Sequence, residues 1–241
     1  MQLSVREVAK LLNVSERRIY AWIKDGRLPA YRANEQYRFN RAELLEWATS
    51  RGVEVPPDLF RDSNENAARS NFADALAEGG VFHGVAGSDK QSVLQAIVDA
   101  MQLPANVNRD LLFRVLLARE TLGSTGLGDG IAIPHPRNPI VLHTEKPEVC
   151  LCFLKTPIDF AALDGKPVHT LFTLISPTVR DHLHMLSRLS YSIRDPGFKS
   201  AIARRASKDV ILREARRVEA RLRTEEQDRR PFDRGKAKEV A

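Results

Sequence analysis

The sequence predicts an α/β protein in two parts: a small helix–turn–helix head with a β-hairpin wing, then a larger body of layered helices and strands. Three observations predict it. In residues 3–50, apolar side chains recur at helical spacing in three stretches around one short alternating segment. A Pro56–Pro57 pair in a polar stretch without periodicity separates this head from the rest of the chain. From Phe72 onward helical and strand patterns alternate, as they do in α/β layers.

Each element has its own signal. Ser4 and Glu7 form a Ser-x-x-Glu capping box ahead of Val5, Val8, Leu11 and Leu12, which predicts a helix over residues 3–12. Asn13 and Val14 turn the chain. Ser15 caps a second helix, ERRIYAWIK, with Ile19, Trp22 and Ile23 as its buried stripe and Gly26 as its stop. Leu28–Phe39 alternates on both sides of Asn34–Gln36, the pattern of a hairpin. Asn40 is the expected cap of a third helix, RAELLEWATS, burying Leu44, Leu45 and Trp47. Residues 1–51 are therefore expected to form one domain and 52–70 a linker.

In the body, helices are expected at Lys90–Met101, burying Val93, Leu94, Ile97 and Val98, and at Asn108–Arg119, burying Leu111, Leu112, Val115 and Leu116. A Gly-rich turn, residues 123–130, leads into the apolar strand Ile131–Ile133. Val149–Leu154 and Val168–Ile175 read as further strands, and helices are expected beyond them at Thr178–Ile193, Lys199–Ala206 and Lys208–Leu222. Residues 71–222 make up this second domain. The charged stretch 223–241 has too little apolar surface to offset its ordering entropy and is expected to be disordered.

Composition narrows the class. The chain has 241 residues, 43% hydrophobic and 28% charged, a balance that supplies a core. It has no run of about 18 apolar residues, which excludes a transmembrane helix, and its charged first ten residues lack the apolar stretch of a signal peptide. A cytoplasmic protein without membrane insertion is expected. Cys150 and Cys152 are too few and too close for a disulfide framework or a four-ligand zinc site, and in EVCLCFL they share one strand face, as buried apolar residues do. Nothing in the chain asks for a metal or a cofactor. Residues 1–52 hold 10 Lys/Arg against 6 Asp/Glu and residues 213–241 hold 10 against 7, whereas 53–212 hold 17 against 18. A basic head on a near-neutral body points to a polyanion partner for the head.

The second helix carries Arg17, Ala21 and Lys24 at i, i+4 and i+7, with Arg18 beside them, opposite Ile19 and Ile23. Its open face thus presents guanidinium forks and an ammonium, suited to guanine edges and phosphates. Arg32 and Arg38 fall in the hairpin, where a wing would meet the backbone of DNA. The same face also suits a solvated surface on a protein-binding module.

Six histidines occur: His83, His135, His143, His169, His182 and His184. His135 comes after the apolar strand and sits between Pro134 and Pro136, which restrict the backbone before them. A side chain held on so stiff a backbone suits a nucleophile that needs a fixed direction, and it equally suits a structural turn. His182 falls near the start of a helix opened by Ser176, Pro177 and Thr178. There the free amides and the helix dipole favour an anion and a neutral imidazole. His184, about 200° further round the helix, is expected at the surface. The glycines of residues 123–130 offer backbone amides that could cradle an anion. Their spacing matches neither a P-loop nor a dinucleotide fingerprint. Asp159 and Asp164 flank a turn and read as structural caps, and His143 and His169 as turn or sheet hydrogen-bonders.

Two resemblances sharpen this reading. LSVREVAKLLNVSERRIYAWIKDGRLPAYR with the later YRFNRAELLEW resembles the excisionase/MerR-type winged helix–turn–helix. That likeness implies DNA binding through residues 1–51 and, because one copy reads only a half-site, a homodimer or a second contact. RETLGSTGLGDGIAIPH (119–135), PIDFAALDGKPV (157–168) and HLHMLSRL (182–189) resemble the IIA domain of the bacterial phosphoenolpyruvate-dependent phosphotransferase system. Within it they are similar to the fructose/mannitol superfamily and its nitrogen-regulatory branch.

The second resemblance implies a mixed sheet flanked by helices and a phosphoryl relay through a histidine, with an HPr-like phosphocarrier as donor. It makes His135 the phospho-acceptor of the GIAIPH motif, His182 the second active-site histidine of the HLxxLS pattern, and Arg119 the arginine facing the phosphoryl group. Ser124, Thr125, Gly126, Gly128 and Gly130 would line the phosphoryl-binding loop. This chain departs from the family at Pro136, where glycine is usual, and so lacks one backbone N–H beside the acceptor. Together the resemblances imply a phosphotransferase-linked transcription regulator. A phosphocarrier relaying to another protein and a non-phosphorylated binding regulator are the alternatives.

Overall fold

The computed structural model describes residues 2–33, 36–51, 53, 71–105, 107–136 and 144–228. The head opens with a strand that the sequence pattern hides, because three residues are too few to show alternation. β1 (Gln2–Ser4) pairs antiparallel with β3 (Gln36–Asn40), Leu3 facing Phe39, and β2 (Tyr31–Ala33) pairs on the other side of β3. The capping box forms as expected at the start of α1 (Val5–Leu11): Ser4 N donates to Glu7 Oε2 at 2.7 Å and Glu7 N to Ser4 Oγ at 3.3 Å. Asn13 takes the left-handed turn conformation at φ +51. Ser15 then caps α2 (Glu16–Lys24), its Oγ accepting from Arg18 N at 3.4 Å. Asn40, the expected cap of the third helix, ends β3 and directly precedes α3 (Arg41–Ser50), the place Ser4 holds before α1. Leu3, Val8, Ile19, Phe39, Leu44 and Ala48 fill the head's core. Trp22 and Trp47 are only half-buried and pack on each other at 5.3 Å between ring centroids.

The linker expected at 52–70 lies outside the described residues except for Val53. The body begins with α4 (Phe72–Gly79) and β4 (Val81–Val85), two elements the sequence pattern did not mark. Then come α5 (Lys90–Ala100), α6 (Arg109–Thr121), β5 (Gly126–Gly128), β6 (Ile131–Ala132), β7 (Glu148–Ile158) and β8 (Val168–Ile175). The chain continues through α7 (Val179–Arg194), α8 (Pro196–Ala203) and α9 (Lys208–Asp228). The sheet runs β4-β7-β8-β6-β5, with β4/β7 and β8/β6 parallel and the other pairs antiparallel. A mixed sheet flanked by helices is the fold the second resemblance implies.

Two strands explain the layering. Side chains alternate across a sheet, so Val149, Leu151 and Phe153 of β7 enter one core with α4, α7, α8 and α9, including Phe72, Leu186, Phe198 and Val218. Cys150, Cys152 and Leu154 enter the other with α5 and α6, including Val93, Ile97, Leu112 and Leu116. Both thiols are fully buried, 3.6 Å apart, and the hydrogen bond between them, which favours the protonated Cys150, together with burial holds the Cys150 thiol far above its ordinary range. These are core residues, as expected.

The last two helices differ in their boundaries from expectation. α8 starts at Pro196 rather than Lys199, because Asp195 Oδ1 caps it by accepting from Gly197 N at 3.0 Å and Phe198 N at 3.1 Å. α9 runs to Asp228 instead of stopping at Leu222, since Tyr191 Oη donates to the Glu225 carboxylate at 3.0 Å and anchors its last turns. Of the expected disordered tail, residues 223–228 are therefore helical, and 229–241 lie outside the described residues.

The head rests on the body through α3. Leu45 joins the body's core at 2% exposure, and Thr49 Oγ1 lies 2.9 Å from Ser190 Oγ on α7. Arg194 Nη2 donates to Val53 O at 2.8 Å.

Candidate functional site

His135 stands three residues past β6 on a segment pinned from both sides: Leu174 N donates to Pro134 O at 3.1 Å, and Ile133 N to Thr125 O at 3.0 Å. The ring is 4% exposed, and its Nδ1 lies 2.6 Å from Ile133 O. A carbonyl can only accept, so Nδ1 carries the proton and the neutral ring keeps its lone pair on Nε2. His182 is the fourth residue of α7, beyond the Thr178 cap, whose Oγ1 accepts from Asp181 N at 3.0 Å. Its buried ring meets that of His135 at 5.1 Å between centroids, tilted by 42°.

Arg119 lies in the last turn of α6, half-buried, with Nη1 donating to Gly123 O at 3.0 Å. It shares with His135 a cleft of about 290 Å³ whose wall includes Ser124 and Thr125. Sequence reading missed the residue that holds this wall. Glu120, 5% exposed, accepts from Thr125 N at 3.1 Å and Thr125 Oγ1 at 2.7 Å and pairs with Lys90 Nζ at 3.1 Å. Lys90, Glu120, Thr125 and Ile133 thus form a chain of bonds ending at the carbonyl that fixes the His135 ring. The available signal was a carboxylate extending the buried series Leu112, Leu116 at the same spacing of four.

Of the expected phosphoryl-binding loop, Ser124 and Thr125 line the His135 cleft, as does Leu127, and Gly128 borders a neighbouring cleft beside Asp129 and Asp164. The Gly126 amide is committed to Ser124 Oγ at 3.0 Å and the Asp129 amide to Asp164 Oδ2 at 2.9 Å. Gly130, at φ +73, has the His169 ring where a side chain would stand: an added Cβ would meet Nε2 at 2.3 Å. Burial first, and then the charge of Arg205, lowers the His169 pKa below its ordinary 6.5.

Asp164 caps its turn, accepting from Lys166 N at 3.1 Å, and Asp159 does likewise from Ala161 N at 2.8 Å. His184 is half-buried rather than at the surface, because α7 is covered on more than one side. His143 lies outside the described residues.

On the head, Arg17, Arg18 and Lys24 are exposed along α2, with the Arg18 guanidinium over the Trp22 ring at 5.2 Å. Arg32 is exposed on β2, while Arg38 is half-buried and donates to Gln36 Oε1 at 2.8 Å. Tyr20, which the charge pattern did not single out, is 49% exposed on the same helix. No helix among the described residues is long and apolar enough to cross a membrane.

Comparison with known proteins places both parts. The family model for the phosphoenolpyruvate-dependent sugar phosphotransferase system, EIIA 2, matches residues 75–215, and one for a helix-turn-helix domain matches residues 3–52. The nitrogen regulatory protein of Pseudomonas aeruginosa is 40% identical over 119 residues, covering 48% of this chain and 75% of that protein. Its counterpart in Bradyrhizobium diazoefficiens is 38% identical over 125 residues, covering 51% and 78%. The crystal structure of nitrogen regulatory protein IIA-Ntr from Neisseria meningitidis matches with a TM-score of 0.52 at 26% identity, over 59% of this chain and 97% of that one. The EIIA type-2 match spans more than half of the 241 residues, so the chain belongs to the EIIA 2 family of the phosphotransferase system and carries a helix-turn-helix domain ahead of it.

Proposed function

We propose that this chain is a phosphotransferase-linked regulator: His135 accepts a phosphoryl group from an HPr-like carrier, and the charge it gains is communicated to a DNA-binding head. One observation carries the reading. The His135 ring is pinned through Nδ1 to Ile133 O at 2.6 Å, which keeps Nε2 as the nucleophile, beside His182 and on a cleft it shares with Arg119. The relatives named above are nitrogen regulatory proteins, in keeping with a regulatory role.

The chemistry is transfer between two imidazoles. The Nε2 lone pair forms a new N–P bond as the donor's P–N bond breaks, and that electron pair returns to the donor ring. The Nδ1 proton stays on its bond to Ile133 O. Such a transfer asks for positioning and charge stabilisation rather than covalent work by the protein. Arg119 offsets the charge on the equatorial oxygens, and His182 donates a hydrogen bond to one of them. Pro136 contributes no amide, so the loop after the acceptor stabilises the phosphoryl group less than a glycine there would. The exposed Arg17, Arg18, Lys24 and Arg32 give the head a face for DNA, and pairing of two chains would supply the second half-site.

The test is labelling from phosphoenolpyruvate through the general carrier proteins. Wild type takes acid-labile label, His135→Ala takes none, and His182→Ala is slowed by about 10²-fold. Unlabelled, folded wild type would sink the reading and leave a binding regulator on a phosphotransfer fold.

A further inference from the structure

α3 has two apolar faces, and each has its own core. Leu44 and Ala48 pack inside the head, whereas Leu45 is buried in the body's core and Thr49 meets Ser190 on α7 at 2.9 Å. This seating brings Pro29, Glu43, Trp47 and Thr49 of the head onto the wall of the same cleft as Arg119, Ser124, Thr125 and His135. With the head so placed His135 is 4% exposed and its Nε2 is buried. A nucleophile must come within about 3–3.5 Å of the phosphorus it attacks. A protein donor therefore reaches Nε2 only if something covering it moves, and the head supplies one wall of this cleft.

The two walls differ in how they are held. The body wall is fixed by the Glu120–Thr125 bonds and the backbone bonds to Pro134 and Ile133. The head is seated through Leu45, the Thr49–Ser190 hydroxyl pair and the Arg194 bond to Val53 O. Contacts of that kind between domains of one chain permit relative motion. The head wall also carries a carboxylate, Glu43, held by the Tyr31 hydroxyl, in the cleft that would receive the phosphoryl charge. A phosphoryl group of about −1.5 to −2 charge placed there repels a carboxylate.

We propose that α3 is a removable cover on His135, so that seating of the head and phosphorylation of His135 exclude each other. The proposal rests on His135 being the acceptor. Arg17, Arg18 and Lys24 stay exposed while the head is seated, so docking governs access to His135 rather than the exposure of the recognition helix. Because coupling between equilibria is reciprocal, whatever holds the head away from the body favours the phosphorylated state, and phosphorylation favours the head held away.

The experiment locks the cover in the full chain. Thr49→Cys with Ser190→Cys places two thiols where the hydroxyls now meet, and each single variant serves as a control. Two rates are followed: carbethoxylation of His135 by diethyl pyrocarbonate, read by peptide mass, and labelling from phosphoenolpyruvate through the carrier proteins. Both fall at least tenfold when the pair is oxidised and recover on reduction, and Leu45→Asp, which unseats α3, raises both above wild type. Equal rates for oxidised and reduced protein overturn the cover, as does a cysteine pair that will not close under mild oxidant. Carbethoxylation that tracks the lock in a protein that never takes label upholds the cover and instead overturns the acceptor reading.

Discussion

Glu120 does its work by accepting rather than by reacting. Its carboxylate takes both the amide and the hydroxyl proton of Thr125 inside the protein, where neither could turn to water. Glu120→Ala strands both donors and removes the partner of Lys90. Each stranded buried donor costs about 1–3 kcal/mol, so the urea midpoint of the body is expected to fall accordingly. An unchanged midpoint would mean that the wall does not depend on this carboxylate. Glu148 has the opposite sign. Burial, and then the nearby charge of Glu78, pushes its carboxyl above the ordinary 4.5. A carboxyl raised by folding contributes stability below its unfolded value and loses it as pH rises through its folded value. At pH 7 the group therefore lowers stability relative to pH 4, and Glu148→Gln is expected to raise the melting temperature there while leaving it nearly unchanged near pH 4. Among candidate site residues, His135, His182 and Arg119 could be singled out from the sequence because each sits in a distinctive string. Glu120 and Glu43 were not, since single carboxylates on helices look alike until their neighbours are known.

Among the elements, α3 carries the most information per residue. Leu44 and Leu45 are adjacent in sequence, yet one belongs to the head's core and the other to the body's. Truncating a buried leucine costs about 2–5 kcal/mol, but the two truncations should be felt in different places. Leu44→Ala is expected to speed amide hydrogen exchange throughout α1 and α2, whereas Leu45→Ala leaves exchange in the head close to wild type and weakens its seating. Identical exchange patterns would contradict the division of α3 into two faces. Helices with full caps and apolar spacing, such as α1, α2 and α5, were legible in the sequence, as was β8. β4 was not: it pairs along one side only, its residues are half-buried or exposed, and its register slips around Gly84. The start of α8 was missed although Asp195 before Pro196 is a helix-opening pair, because the apolar spacing after it is short.

At the scale of the whole molecule, charge and fold divide along the same line. Residues 1–52 carry four of the six net positive charges, and the exposed basic side chains of α2 lie within them. If the head binds DNA, affinity falls steeply with salt, and removing one phosphate-binding cation lowers the log–log slope by about 1. Arg17→Ala with Arg18→Ala should flatten that slope in an anisotropy titration. Arg38→Ala should change it less, because Arg38 already serves Gln36. A slope that ignores all three substitutions would move the DNA-binding face elsewhere. The division between head and body was legible from Pro56–Pro57 and the change of pattern at Phe72, but the way one half sits on the other was not, since no local pattern encodes where Leu45 goes. The same division has a practical side. The chain has two tryptophans, Trp22 and Trp47, both in the head, and two cysteines, Cys150 and Cys152, both sealed in the body's sheet. Indole fluorescence therefore watches one half while thiol trapping waits for the other to open. The protein comes with its own pair of reporters, able to distinguish a head that lifts from a body that unfolds without any engineered label.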